Sequence, residues 1–270
     1  MNKKQNKMNK NTKRMNNMTV WYMNGAGNSF AVVDARNMRL NMSEAAKILC
    51  ENGDCDGFMA LDNSKIADIK LHFYNRDGSR AEMCGNGARC ICRFAYDNKI
   101  VGAKMTVETD AGIVEGEKIS ESIYRVKLNT PQDISIDKSE NIDYALVGVP
   151  HIVIALEDID FANRSNLFER AQGLRKQYNA NVNFYSKIGE DIFKILTYER
   201  GVEDFTLACG TGSGAVASIL WSRGELKSGL ATLQNRGGSL QVMVQGSKKE
   251  ISALYLEGPA EIDSVAKMIL

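Results

Sequence analysis

Leu207-Ala208-Cys209-Gly210-Thr211-Gly212-Ser213 repeats the pattern of an earlier stretch, Glu82-Met83-Cys84-Gly85-Asn86-Gly87-Ala88. In each, a cysteine is followed by Gly-x-Gly, after a β-like run and ahead of a helix-like one. The likeness extends upstream: Tyr74-Asn75-Arg76-Asp77-Gly78 leads into the first stretch and Tyr198-Glu199-Arg200-Gly201 into the second. The reading is one unit used twice, with Cys84 and Cys209 facing each other across a single site.

Working outward, Val20-Trp21-Tyr22-Met23 reads as a strand, 24–28 as a glycine turn and 30–35 as a second strand. Ser43 reads as an N-cap, with Ala45, Ala46, Ile48 and Leu49 at helical spacing and Gly53 as the stop. Stretches 58–61 and 66–74 read as strands, with His72 on the polar face of the second. After Cys84, Ala88, Ile91, Cys92 and Ala95 fall at i, i+3, i+4 and i+7. That predicts an amphipathic helix with Arg89 and Arg93 elsewhere on its surface. Three β-like runs follow at 104–109, 113–117 and 123–128, and the polar stretch 129–141, with Pro131, reads as a crossing between halves. The second half repeats the order: a strand over 147–156, a helix over 166–178, and strands over 181–185 and 192–199. A helix then runs from the second cysteine to about Trp221, stopped near Gly224. Two or three strands between Ala231 and Leu256 complete it. So many turn connections favour an α+β fold, sheet curled around the post-cysteine helix, over a doubly wound parallel one. The expected division is a basic disordered tail at 1–18, an N-terminal half at 19–130 and a C-terminal half at 131–261. Residues 262–270 are expected to pack back on the first half.

The chain of 270 residues fits one large domain or two small ones, and its net charge of +1 argues against a large nucleic-acid face. No apolar run approaches the roughly 18 residues of a membrane span. Residues 1–18 carry Lys3, Lys4, Lys7, Lys10, Lys13 and Arg14 and no acid, so acids outnumber bases in the remainder. That segment has too little to bury and lacks the apolar core of a signal peptide. It reads as a dispensable tail, the alternative being a nucleic-acid arm. Six cysteines without a signal peptide suit a reducing cytoplasm rather than a disulfide framework.

A helix N-terminus presents free N–H groups and partial positive charge, so a thiol there is expected to ionise more readily. Glycine after the cysteine lets the backbone approach a ligand, and such a turn cradles a carboxylate. Two such halves around one site would hold an α-carbon between two sulfurs. One thiolate removes the α-proton, the opposite thiol delivers another, and the stereocentre inverts. Neither a metal nor a cofactor is required. Cys50, Cys55, Cys90 and Cys92 read as small buried hydrophobes. Cys84, Cys90 and Cys92 lack zinc-ligand spacing, and Gly210-x-Gly212-x-x-Ala215 is only a loose dinucleotide fingerprint. His151 has two readings, a satisfied structural histidine or a polar partner of one thiol. Arg200 likewise reads as a surface ion pair or as a bidentate carboxylate ligand.

Taken together, these residues resemble the diaminopimelate epimerase family, cofactor-independent epimerases of lysine and peptidoglycan precursor synthesis. The motifs that carry the resemblance are Gly25-Ala26-Gly27-Asn28-Ser29-Phe30, Tyr74-Asn75-Arg76-Asp77-Gly78-Ser79, Cys84-Gly85-Asn86-Gly87-Ala88-Arg89-Cys90, Pro150-His151, Asn181-Val182-Asn183-Phe184, and Tyr198-Glu199-Arg200-Gly201 leading to Ala208-Cys209-Gly210-Thr211-Gly212. The resemblance implies two pseudo-symmetric halves, each a curved, mostly antiparallel, barrel-like sheet around a central helix, with the active site in the cleft between them. It implies Cys84 and Cys209 as the catalytic pair, with His151 and Glu199 as polar neighbours of the thiols. Gly85, Asn86, Gly210, Thr211, Asn28 and Glu199 would hold the reacting carboxylate and amine; Asn75, Asn181 and Arg200 would hold the distal end. The implied reaction is LL- to meso-diaminopimelate, the alternatives being a racemase of another amino acid such as lanthionine or histidine, or a non-catalytic binding protein. The expected partners are a small amino-acid substrate and a second copy of the chain. The sequence departs from the family at Ser29, where Asp is usual, and at Val149, where Asn is usual and helps grip the distal end.

Overall fold

The repeat in the sequence is a repeat in the fold. The structure is a computed structural model describing residues 17–81, 84–137, 139, 141–162 and 164–269; residues 1–16 of the expected tail lie outside these. The first half runs β1 (Asn17–Gly25), β2 (Asn28–Asp34), α1 (Met42–Gly53), β3 (Gly57–Asp62), β4 (Ile69–Asn75), β5 (Arg80–Ala81), α2 (Gly85–Asp97), β6 (Lys104–Thr109), β7 (Gly112–Lys118) and β8 (Ile123–Leu128). A short β9 (Gln132–Ser135) follows. The second half runs β10 (Asp143–Val147), β11 (Val149–Ala155), α3 (Ser165–Tyr178), β12 (Asn181–Gly189), β13 (Ile192–Glu199), β14 (Asp204–Phe205), α4 (Gly210–Arg223), β15 (Leu230–Asn235), β16 (Gly238–Gly246) and β17 (Ile251–Pro259), and β18 (Glu261–Ile269) ends the chain.

The pairings repeat as well. β2 with β3, and β11 with β12, are parallel; so are β4 with β6, and β13 with β15. The remaining ladders are antiparallel, and β8 pairs with β17 to join the halves. The end strands are exchanged: β18 pairs along β1 from Asn17↔Ile269 to Asn24↔Glu261, while β9 pairs with β10.

Each half wraps its sheet around the helix that follows its cysteine. Ala88, Cys90, Ile91, Cys92, Phe94 and Ala95 of α2 are all buried, as are Ala215, Val216, Ala217, Ile219 and Leu220 of α4. Both helices belong to one continuous apolar core, whereas α1 and α3 cover the outer faces over separate clusters. A helix enclosed by sheet has no solvent face, which corrects the reading of Arg89: it has no exposed surface at all. Arg93 keeps a partial outlet, paired with Asp97 and Glu261.

Other boundaries differ for local reasons. β1 begins at Asn17, because β18 supplies a partner for residues read as tail. Asn41, not Ser43, caps α1, its side chain accepting from the Glu44 amide, and left-handed Asp54 ends it. Gly53 stays helical and makes room for the Tyr22 ring, which a β-carbon there would meet at 2.0 Å. β4 starts at Ile69 rather than 66. The single strand read over 147–156 is two, reversing at Gly148, and the polar crossing contains β9. Among the described residues no helix is long and apolar enough to cross a membrane.

Candidate active site

Cys84 and Cys209 stand as N-caps of α2 and α4 in nearly the same backbone conformation, φ −125°, ψ 126° and φ −119°, ψ 115°. The two helix starts abut. A β-carbon on Gly85 would lie 3.7 Å from the Gly210 Cα, and one on Gly210 would lie 3.6 Å from the Gly85 Cα. Leu256 closes the contact from β17, 2.8 Å from that position on Gly210. The two helix N-termini thus pack against each other at the glycine after each cysteine, which brings both sets of free amides to one place.

The thiols are not equivalent. Cys209 is 7 % exposed; its sulfur accepts from the Gly212 amide at 3.4 Å and lies 3.5 Å from Thr211 Oγ1. Cys84 is half-buried and its sulfur makes no full capping hydrogen bond. Burial raises both thiols above their ordinary value, Cys209 well above. The expected fall is thus outweighed. Around Cys84 the Gly87 and Asn86 amides and Arg89 oppose the rise, while Glu199 adds to it. Around Cys209 Glu199 adds to the rise and Thr211 and Gly212 oppose it. Helix-end stabilisation is present but smaller than the cost of removing a thiolate from water.

Glu199, last residue of β13, sits between the two sulfurs electrostatically, since its charge is felt by both. Its carboxyl accepts from Thr206 Oγ1 at 2.7 Å and shares a hydrogen bond with Cys209. Burial raises it, against the pull of those two donors. Asn86 is 1 % exposed, and its Nδ2 donates to Asn28 Oδ1 and, at 3.2 Å, to the carbonyl of Ala208, the residue before Cys209. Asn28 opens β2 after the turn at Ala26-Gly27, where φ is +54° and +91°, a pair of left-handed residues suited to a two-residue hairpin.

His151 is fully buried and burial, with the nearby Arg200 charge, lowers it to about 3, so it is neutral. Its Nδ1 accepts from Asn183 Nδ2 at 3.2 Å, which leaves the proton on Nε2; that atom has no partner among the described residues. Asn183 Oδ1 accepts from Thr197, and both side chains lie under Gly212, whose β-carbon would fall 2.4 Å from Asn183 Oδ1. His151 thus reaches Cys209 through Asn183 and the Gly212 turn. It pairs in register with Asn181, whose Oδ1 accepts from the Arg200 amide at 2.8 Å, while Arg200 NH1 donates to the Asn179 carbonyl. Asn75 is exposed at the end of β4 and is tied to Ser79.

The candidates therefore fall into two joined groups, Cys84-Gly85-Asn86-Asn28 with Gly210-Cys209-Thr211-Glu199, and His151-Asn181-Arg200. Asn75 lies on the Phe30–Gly57–Asn75 row, which runs from β2 through β3 to the end of β4. Four participants were not anticipated: Thr206, Asn183, Thr197 and Arg89. Asn183 was readable as sharing a strand face with Asn181. Arg89, three and four residues beyond Asn86 and Gly85, was readable as lying over the first turn. The repeat also aligns Asn28 with Val149, each opening the strand that runs parallel to its neighbour.

Comparison with known proteins agrees with this architecture. The family model described as diaminopimelate epimerase matches residues 20–130 and 144–262. The chain is 34 % identical over 266 residues to a diaminopimelate epimerase of Aquifex aeolicus, covering 89 % of this chain and 94 % of that one. It is 31 % identical over 257 residues to that of Flavobacterium psychrophilum, covering 90 % and 97 %. Among solved structures, a phenazine biosynthesis protein of the PhzF family from Bacillus anthracis superposes with a TM-score of 0.74 at 16 % identity, over 94 % of this chain and 100 % of that one. A hydroxyproline epimerase from Agrobacterium vitis gives 0.68 at 16 % identity, over 96 % and 92 %. Those two share the fold.

Proposed function

The chain belongs to the diaminopimelate epimerase family, and on that premise we propose that Cys84 and Cys209 interconvert LL- and meso-diaminopimelate by proton transfer at one α-carbon. The observation that carries the reading is the abutment of two cysteine-capped helix starts at Gly85 and Gly210. The substrate carboxylate lies over the amides of Gly85, Asn86, Gly210 and Thr211, which meet the charge that develops as the proton leaves. Asn28 and Glu199 take the amine; Asn75, Asn181 and Arg200 take the distal amino-acid end. One thiolate accepts the α-proton, the opposite thiol gives its own to the other face, and the enzyme ends with the two protonation states exchanged. Cys84, half-buried and open to the cleft, is the base, and the more enclosed Cys209 rests as the thiol. His151 acts through Asn183 on the Gly212 turn.

The test is LL-diaminopimelate in heavy water without pyridoxal: α-deuterium and the meso isomer are expected, with formation of the meso isomer abolished in Cys84→Ala and in Cys209→Ala, because inversion needs both faces. No incorporation with this or any other amino acid would overturn the reading. Half-buried, apolar Val149 opposite Asn28 in the repeat favours including lanthionine and histidine as competing substrates; faster turnover of one of these would reassign the substrate and keep the chemistry.

The repeated element order supports dividing the chain after residue 130, β1 to β8 forming the first half and 131–261 the second, with β18 packed on the first half. Six free thiols suit a cytoplasmic enzyme. A second copy of the chain fits the β1–β18 face, where Val265 and Ile269 are 53 % and 57 % exposed beside a groove of about 920 Å³; sedimentation giving a monomer at micromolar concentration would remove it.

A further inference from the structure

Arg89 is a guanidinium with no exposed surface. Burying a charge is costly unless its donors are satisfied. Its three nitrogens go three ways: Nε to the Pro259 carbonyl at 3.3 Å, NH1 to the Gly85 carbonyl at 3.2 Å and NH2 to Asn86 Oδ1 at 2.9 Å. Arginine only donates, so the amide of Asn86 must turn its oxygen inward and its NH2 outward. That outward NH2 bridges Asn28 Oδ1 and the Ala208 carbonyl beside Cys209. The ionisable groups facing the guanidinium are Cys84, Cys90 and Cys92 on its own helix. Cys90 and Cys92 are held at about 12 by burial and Cys90 also faces Asp263 of β18; Cys84 alone reaches the cleft, where it faces Glu199 of β13.

We propose that Arg89 is a positioning residue: it fixes the Asn86 amide that ties the two halves together at the site, and it sets a buried positive charge behind Cys84. The inference rests on the reading of Cys84 as the base. Through Pro259 the same guanidinium anchors the first turn of α2 to the end of β17, the strand whose Leu256 touches Gly85 and Gly210. One buried cation thereby fixes the geometry of one helix start and favours charge on its cysteine.

The experiment follows alkylation of Cys84 and Cys209 by iodoacetamide across pH, peptide by peptide, in the full chain, together with kcat and KM. In Arg89→Met the Cys84 midpoint moves up by about one pH unit while Cys209 stays. There kcat falls roughly tenfold to a hundredfold, more than KM rises. Arg89→Lys returns the Cys84 midpoint towards wild type but not kcat, because one ammonium cannot hold Asn86, Gly85 and Pro259 together. An unmoved Cys84, or both thiols moving together, overturns the proposal. If Arg89→Met does not fold, Arg89→Lys decides: a displaced Cys84 or an undiminished kcat overturns it. If no amino acid is epimerised at all, the thiol titration still reads Arg89, so the two failures are told apart.

Discussion

At the scale of single residues, the site works through buried groups whose charges are unequal. Glu199 raises Cys209, so Glu199→Gln is expected to shift Cys209 alkylation to lower pH, measured as the midpoint of the iodoacetamide rate. His151 is lowered in the folded chain to about 3 from an ordinary 6.5. The unfolded chain therefore binds the extra proton first, and stability present above pH 6.5 is lost as pH falls towards 3. Compared with His151→Gln, the wild type should lose about 1.4 kcal/mol per pH unit in that window, read from urea melts between pH 7 and 5. Part of this placement was legible: Gly85 packs on Gly210, Asn86 bonds Asn28 and the Ala208 carbonyl, and the Glu199 charge acts on both thiols. What misled was Arg89, because helical periodicity predicts one wet face and cannot know that strands from both ends of the chain enclose that helix. The net direction of the thiols was hidden likewise, since burial is a property of the assembled halves.

At the scale of elements, the starts of α2 and α4 set the tolerances. Gly212→Ala pushes a methyl to within 2.4 Å of Asn183 Oδ1 and 3.1 Å of Thr197 Oγ1. Overpacking of this kind costs about 1–3 kcal/mol; the expected outcome is a lowered urea midpoint and a Cys209 alkylation midpoint moved to higher pH, because the Gly212 amide that favours its thiolate is displaced. Element types were readable from period and caps, as β13 and the Gly224 stop of α4 illustrate. Boundaries failed where a distant partner decides them. Gly53 remains helical because Tyr22 fills the space of its missing side chain, and β1 lengthens because β18 lies along it. β9 escaped notice because Gln132, Asp133 and Ser135 around a single Ile134 give no alternation, only a neighbour in β10.

At the scale of the whole molecule, neither half is closed by its own strands. A chain of residues 17–130 lacks β17 beside β8 and β18 beside β1, so it is expected to stay unfolded by circular dichroism. Supplying 131–270 as a separate chain should restore ordered structure; a cooperative urea transition for 17–130 alone would contradict this. The exchange of β9 and β18 also bears on ancestry. The exchange is the pattern that would result if two copies of a single half, each lending its last strand to its twin and each carrying one cysteine, were joined end to end. Such a pair offers the same groups on both sides of an α-carbon, yet an amino acid carries an amine on one arm and a side chain on another. In one chain the two copies differ where the repeat sets Asn28 against Val149 and Asn75 against Glu199, so on the proposed reading these are the positions that would give an otherwise even-handed cleft a preferred way round for its substrate.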